Sequence, residues 1–130
     1  MYLLDTNVCI DFLGGRNAAL AQRLEAKFGA LAISSITAAE LLVGNRSSTD
    51  PVADTRRIDI FVASMEIIEF TLADARVYGE TVRAVGVRRK SFDRLIGVQA
   101  VRLGATLVTR DAGHFADVPG LRVEDWTLPL

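Results

Sequence analysis

Cysteine occurs once in these 130 residues, as Cys9, and histidine once, as His114. A lone cysteine excludes an intramolecular disulfide and a cysteine-based zinc site, and it fits a reducing compartment. Without a second histidine the usual donors for zinc are missing as well. No apolar run approaches the roughly 18 residues of a membrane span. The start, Met1-Tyr2-Leu3-Leu4-Asp5, lacks the basic opening of a signal peptide and meets a carboxylate at its fifth residue. A cytoplasmic protein with no membrane partner is expected. Charge of one sign is also lacking: 15 basic residues face 16 acidic ones, for a net charge of −1. That balance argues against coating nucleic acid by bulk charge and leaves a local patch open.

What the sequence does have is an ordinary globular composition, half apolar and 24% charged, which sets it apart from a disordered chain. The length suits one domain, 1–130, with its own core. Short apolar runs alternate with helical patterns. Tyr2 to Asp5 is a strand stub that ends in Asp-Thr-Asn, a helix start. Asn17 caps a predicted helix through Phe28, with Leu20, Leu24 and Phe28 at helical spacing, and Gly29 breaks it. Leu31 to Ser34 reads as a strand, and Thr37-Ala38-Ala39-Glu40 opens a helix that fades at Gly44-Asn45. A loop from Ser47 to Pro51 precedes a helix carrying Ile58, Phe61, Val62 and Met65. Glu66 to Phe70 is a third strand. Thr71 begins an amphipathic helix with Leu72, Ala75, Tyr78, Val82 and Val85 on one face. After the basic link Val87 to Lys90, a helix runs from about Ser91 to Leu103. Ala105 to Thr109 is a fourth strand, and Leu121 to Glu124 a candidate fifth. The pattern predicts an α/β fold, a three-layer α/β/α sandwich around a mainly parallel sheet of four to five strands. Ligands of such sheets sit at the carboxyl ends of the strands.

Three acids fall where a strand hands over to the next element, and a fourth, Asp93, joins them provided its helix N-terminus points to the same end of the sheet. Asp5 closes the first strand, Glu40 lies in the helix after the second, Asp93 opens the helix that leads into the fourth, and Asp111 follows the fourth. Each has a local explanation: Asp5 as a helix cap, Glu40 with Thr37 as a capping box, Asp93 favoured by the helix dipole, and Asp111 as a turn residue. Asp74 in Thr71-Leu72-Ala73-Asp74 is explained by capping alone. Joint placement separates the four. Crowded carboxylates repel and take up protons unless a cation joins them. A hard divalent cation, Mg²⁺ or Mn²⁺, suits an all-oxygen donor set.

Leu4-Asp5-Thr6-Asn7, Ser35-Ile36-Thr37-Ala38-Ala39-Glu40-Leu41, Asp93-Arg94-Leu95-Ile96 and Leu107-Val108-Thr109-Arg110-Asp111 with His114-Phe115 appear in this order. Together with Val118-Pro119-Gly120-Leu121 and Trp126, they make the chain resemble the PIN-domain family over nearly its whole length. Within that family it is similar to the VapC-type toxin ribonucleases of bacterial toxin–antitoxin pairs. The resemblance implies a metal-dependent endoribonuclease in which Asp5, Glu40, Asp93 and Asp111 are the catalytic, metal-binding acids. Thr6 and Thr109 match supporting hydroxyls, and Asn7 matches the first motif. The implied substrate is single-stranded or loop RNA (tRNA, rRNA or mRNA), cut to leave a 5′-phosphate and a 3′-hydroxyl. The implied partners are a cognate antitoxin, a second copy in a homodimer, and operator DNA reached through the antitoxin. The chain departs from the family pattern at Arg94 and at Gly97-Val98-Gln99. Arg94 either pairs with an acid or reaches a phosphate.

From Arg76 to Arg102 seven basic residues face two acids, Glu80 and Asp93, so this segment is +5 and the rest of the chain −6. Arg88, Arg89 and Lys90 immediately precede the helix that carries Asp93, where an RNA backbone would pass, and with Arg94 they are the candidate substrate-binding residues. His114 is expected in a loop or packing role rather than as a general base, Cys9 as a small buried residue, and Trp126 in packing. Two other enzyme classes fit poorly. An aspartyl-phosphate phosphatase wants a second aspartate where Asn7 stands, and a receiver domain wants a lysine after a late strand. The alternative outside catalysis is an RNA- or protein-binding module on the same fold, which has no need of four repelling acids.

Overall fold

A computed structural model of the chain describes residues 1–44, 48–86 and 92–129. Five strands form one sheet: β1 (Tyr2–Leu4), β2 (Leu31–Ser34), β3 (Glu66–Ile68), β4 (Thr106–Val108) and β5 (Arg122–Glu124). Their order is β3-β2-β1-β4-β5, and every neighbouring pair is parallel. The helices are α1 (Thr6–Gly14), α2 (Ala18–Ala26), α3 (Ser35–Val43), α4 (Pro51–Ser64), α5 (Leu72–Val85) and α6 (Phe92–Leu103), with 3₁₀ turns at Phe28–Ala30 and Ala112–Phe115.

Successive residues of a strand point to opposite faces, and here both faces of the central strands are covered. Leu4, Ile33 and Val108 join Val8, Leu20, Leu24, Phe61 and Trp126 in one core. Their neighbours Leu3, Ala32 and Leu107 join Ile96, Ala100 and Phe115 in the other. Helices α1, α2 and α4 therefore cover one face and α6 the other, with α5 packed on α6. This is the expected three-layer sandwich, and the near-continuous apolar runs of the strands follow from it. Each fully buried aliphatic side chain contributes about 1.5–3 kcal/mol.

Several local expectations are corrected. Helix α3 is capped by Ser34, whose hydroxyl accepts from the Ile36 amide at 3.1 Å, so Thr37 lies inside the first turn and Glu40 is not its capping partner. Helix α2 ends at Ala26, and Phe28 stands 60% exposed instead of joining the core. The expected apolar face of α5 is only partly covered: Leu72 and Ala75 are exposed and Tyr78, Val82 and Val85 half-buried, while Asp74 is fully buried. There Asp74 completes a capping box with Thr71 and pairs with Arg102 of α6. Gly15 adopts the left-handed conformation (φ 66°) that ends α1.

The chain builds β1, β2 and β3 outward in one direction, then returns to place β4 on the other side of β1. The strand order therefore reverses between β1 and β4. A crevice opens at the carboxyl end of such a reversal, because the flanking connections depart to opposite faces.

Candidate metal centre

Asp5 and Asp111 stand on the two sides of that crevice. The β1–β4 ladder runs on through the Asp5 amide, which donates to the Val108 carbonyl at 2.9 Å. The Asp5 carboxylate is thereby held at the sheet end, where it also caps α1. Its Oδ1 accepts from the Thr6 amide at 2.8 Å and its Oδ2 from the Thr109 hydroxyl at 2.9 Å. The Thr109 oxygen in turn accepts from the Asp111 amide at 3.0 Å. The Asn7 side-chain amide donates to Asp111 Oδ2 at 2.8 Å.

Glu40 enters from α3. The Thr6 hydroxyl donates to Glu40 Oε1 at 2.7 Å, and the hydroxyls of Thr6 and Thr37 lie 3.2 Å apart. Thr37 is thus a buried brace of the site rather than a helix cap. Asp93 enters from the first turn of α6 and stands 3.5 Å from Nδ1 of His114. That separation is an ion-pair distance rather than a hydrogen bond.

The four acids expected from sequence, with Thr6, Asn7 and Thr109, are therefore gathered at one end of the sheet. Burial pushes the Asp5 carboxyl up to about 6, and the negative charges of Asp93 and Asp111 push the same way against the Thr109 and Thr6 hydrogen bonds. Mutual repulsion thus falls on the most buried acid. Among the described residues no three acid or histidine side chains close tightly enough to cage an ion by themselves. The donor set fits a small hard cation that keeps part of its water shell and takes only one or two carboxylates directly. It does not fit zinc, because the one cysteine is buried in the core and the one histidine is half-exposed.

Arg94 resolves to the first of its two alternatives. It is 5% exposed, donates to the Gly86 carbonyl at 2.8 Å and pairs with Asp117. An inward guanidinium with two partners is a brace and not a phosphate contact, which corrects its place among the substrate-binding candidates. Arg88, Arg89 and Lys90 lie outside the described residues. Cys9 and Trp126 are buried in packing roles, with the Trp126 ring 4.9 Å from that of Tyr2. Two charged residues beside the site were not expected. Asp11 of α1 pairs with Arg110 at 2.9 Å. The available signal was the four-residue spacing of Asn7 and Asp11 on one helix face.

The PIN domain is matched over residues 2–121. Over 97% of its length the chain is 34% identical to ribonuclease VapC2 of Rickettsia felis, covering 98% of that protein. It is 32% identical, with the same coverage of both chains, to the tRNA(fMet)-specific endonuclease VapC of Shigella flexneri. Among solved structures, VapBC2 of Rickettsia felis bound to a promoter DNA fragment superimposes with a TM-score of 0.84 at 32% identity, covering 96% of this chain and 98% of that one. DNA-bound VapBC of Salmonella typhimurium gives 0.86 at 27% identity, with coverage of 96% and 97%.

Proposed function

Because the chain belongs to the PIN-domain family, among its VapC-type toxin ribonucleases, we propose that it is a divalent-cation-dependent endoribonuclease, the toxin of a toxin–antitoxin pair. The observation that carries the reading is the linked set Thr6–Asp5–Thr109–Asp111–Asn7, with Glu40 attached through Thr6 and the negative charge of Asp93 close enough to push the Asp5 carboxyl toward its protonated form. Asp5, Glu40, Asp93 and Asp111 would hold Mg²⁺ or Mn²⁺. When bound, the cation supplies a water activated for in-line attack on a phosphodiester and stabilises the leaving oxygen.

The chain's own part is to hold the acids in place. Thr109 and the Thr6 amide occupy one lone pair on each oxygen of Asp5, which fixes the carboxylate plane. Asn7 fixes Asp111 in the same way, since an amide donates to a carboxylate without changing its charge. Glu40 is held through one oxygen, by the Thr6 hydroxyl. Arg88, Arg89 and Lys90 would track the RNA strand beside α6, a reading supported by their position in the sequence. Substrates are single-stranded or loop RNA, with tRNA suggested by the Shigella relative.

An apolar groove of about 340 Å³ supports the antitoxin partner. Phe12, Leu13, Leu24, Phe28, Ile60 and Phe61 line it, and Phe28 and Ile60 are about 60% exposed. Such a groove suits the apolar face of an antitoxin helix, and a basic antitoxin side chain would be drawn to the acids. Exposed Leu42 and Val43 at the end of α3 offer apolar surface to a homodimer. Operator DNA would be reached through the antitoxin, a reading supported by the DNA-bound VapBC complexes among the similar structures. No described helix is long and apolar enough to cross a membrane, and RNA substrates place the proposed activity in the cytoplasm.

Incubation of the purified protein with total cellular RNA, in Mg²⁺ or in EDTA, tests the proposal. Cleavage with Mg²⁺ that EDTA abolishes is expected. RNA binding without cleavage would favour the binding module instead.

A further inference from the structure

Asn7 and Asp11 are one helical turn apart on the same face of α1, and each holds one of two consecutive residues after β4. Asn7 holds Asp111, and Asp11 pairs with Arg110 at 2.9 Å through Nε. The backbone on either side of Arg110 is fixed by the site, because Thr109 bonds Asp5 and Asp111 bonds Thr109 and Asn7. Arg110 is therefore anchored at the rim of the acid crevice, one peptide step of about 3.8 Å from each of those residues. Its side chain is aimed along α1.

Among the described residues, two arginines adjoin a site acid in sequence, and they have opposite fates. Arg94 is buried, with its guanidinium engaged by Gly86 and Asp117. The Arg110 side chain is 46% exposed, and that of Asp11 is 27% exposed. An ion pair this open adds only about 0–1 kcal/mol to stability, but it restricts a side chain that otherwise samples many rotamers. A guanidinium has five N–H donors. One carboxylate approaching at Nε leaves donors for another oxygen, and the fork matches a phosphate. A crevice of four acids repels a polyanion, so a strand entering it needs positive charge at the rim.

We infer that Arg110, oriented by Asp11, binds a backbone phosphate of the RNA strand beside the acid crevice and leads that strand along α1. This deepens the ribonuclease reading and rests on it.

The test is binding of a short fluorescein-labelled single-stranded RNA of mixed sequence, followed by anisotropy across a salt series, with Ca²⁺ in place of Mg²⁺. Wild type, Arg110→Ala, Arg110→Lys and Asp11→Asn are compared, with thermal melts to verify folding. Arg110→Ala should weaken binding about tenfold and flatten the log–log salt slope by roughly 0.7, the value for one single-strand phosphate contact. Arg110→Lys should keep the slope and lose part of the affinity. Asp11→Asn should also keep the slope, because the arginine stays charged, while affinity falls about threefold through lost preorganisation. Equal weakening in Arg110→Ala and Asp11→Asn with an unchanged slope would make the pair a mere brace between α1 and β4, and would overturn the inference. Wild-type affinity and slope in Arg110→Ala would overturn it too, and leave the ribonuclease reading standing if the wild type cleaves RNA with Mg²⁺. A wild type that neither binds nor cleaves RNA would overturn both.

Discussion

Asn7 and Asp111 are 104 residues apart in the chain, and the Asn7 side-chain amide donates to Asp111 Oδ2 at 2.8 Å. One hydrogen bond thus ties the first turn of α1 to the turn after β4, across the crevice where the strand order reverses. Replacing Asn7 by alanine frees the Asp111 carboxylate to rotate. RNA cleavage should fall by about 10–100-fold, the usual cost of losing a partner that orients a metal ligand. Stability should fall by only about 1 kcal/mol. Cleavage rates against Mg²⁺ concentration, with a melt of each protein, check both numbers, and full activity at low Mg²⁺ would count against the role.

Asp5 links charge to stability. In the folded chain it keeps its proton up to about pH 6, against 3.8 for the free side chain. Between those values the folded state binds more protons than the unfolded state, so stability falls as pH rises through the window. Above it the cost of the charged form is fully present, at most about 3 kcal/mol. In EDTA, the melting temperature of Asp5→Asn should exceed that of wild type at pH 7, and the gap should close toward pH 4. Mg²⁺ at pH 7 should raise the wild-type melting temperature more than that of the variant. A gap that does not vary with pH would show that Asp5 is not held in its protonated form.

Arg94 and Asp117 form an inward ion pair, with Asp117 22% exposed. Arg94→Ala leaves Asp117 and the Gly86 carbonyl without their partner and should cost about 3 kcal/mol, the low end for breaking a buried pair. The salt slope of RNA binding should not change, because this guanidinium does not reach the strand. Denaturant melts and the salt series decide between a brace and a phosphate contact.

Phe28 at the groove mouth is already largely in water. Phe28→Asp should scarcely shift the melting temperature, yet it places a charge against the apolar face of an antitoxin helix. The antitoxin concentration for half-inhibition should rise by about a hundredfold, as expected for an aromatic anchor worth 2–4 kcal/mol. An unchanged inhibition curve would place the antitoxin elsewhere.

The parts of the protein that depend on neighbours in the chain were determined by the sequence alone. Strand β2 begins and ends at Leu31 and Ser34 as its apolar run does, and Asn17 and Thr71 cap helices as their side chains favour. Alternation of strand and helix implied the parallel three-layer fold, and that fold put Asp5, Glu40 and Asp111 where strands hand over to the next element, while Asp93 depended on the direction of its helix. Tertiary structure decided the rest. Ser34, Ser35 and Thr37 are all hydroxyl residues able to cap a helix, and only the end of β2 in its sheet register selects Ser34. The Leu72 face of α5 reads as apolar by period. At the start of that helix Asp74, paired with Arg102 of α6, is the buried residue and Leu72 is exposed, while Tyr78, Val82 and Val85 farther along the same face are half-buried. Arg94 and Arg110 each adjoin a site acid and look alike in sequence. One is drawn inward by Asp117 and the other outward along α1 by Asp11. Both partners are distant in the chain, and electrostatic pairing depends on separation in space, which only the folded arrangement sets.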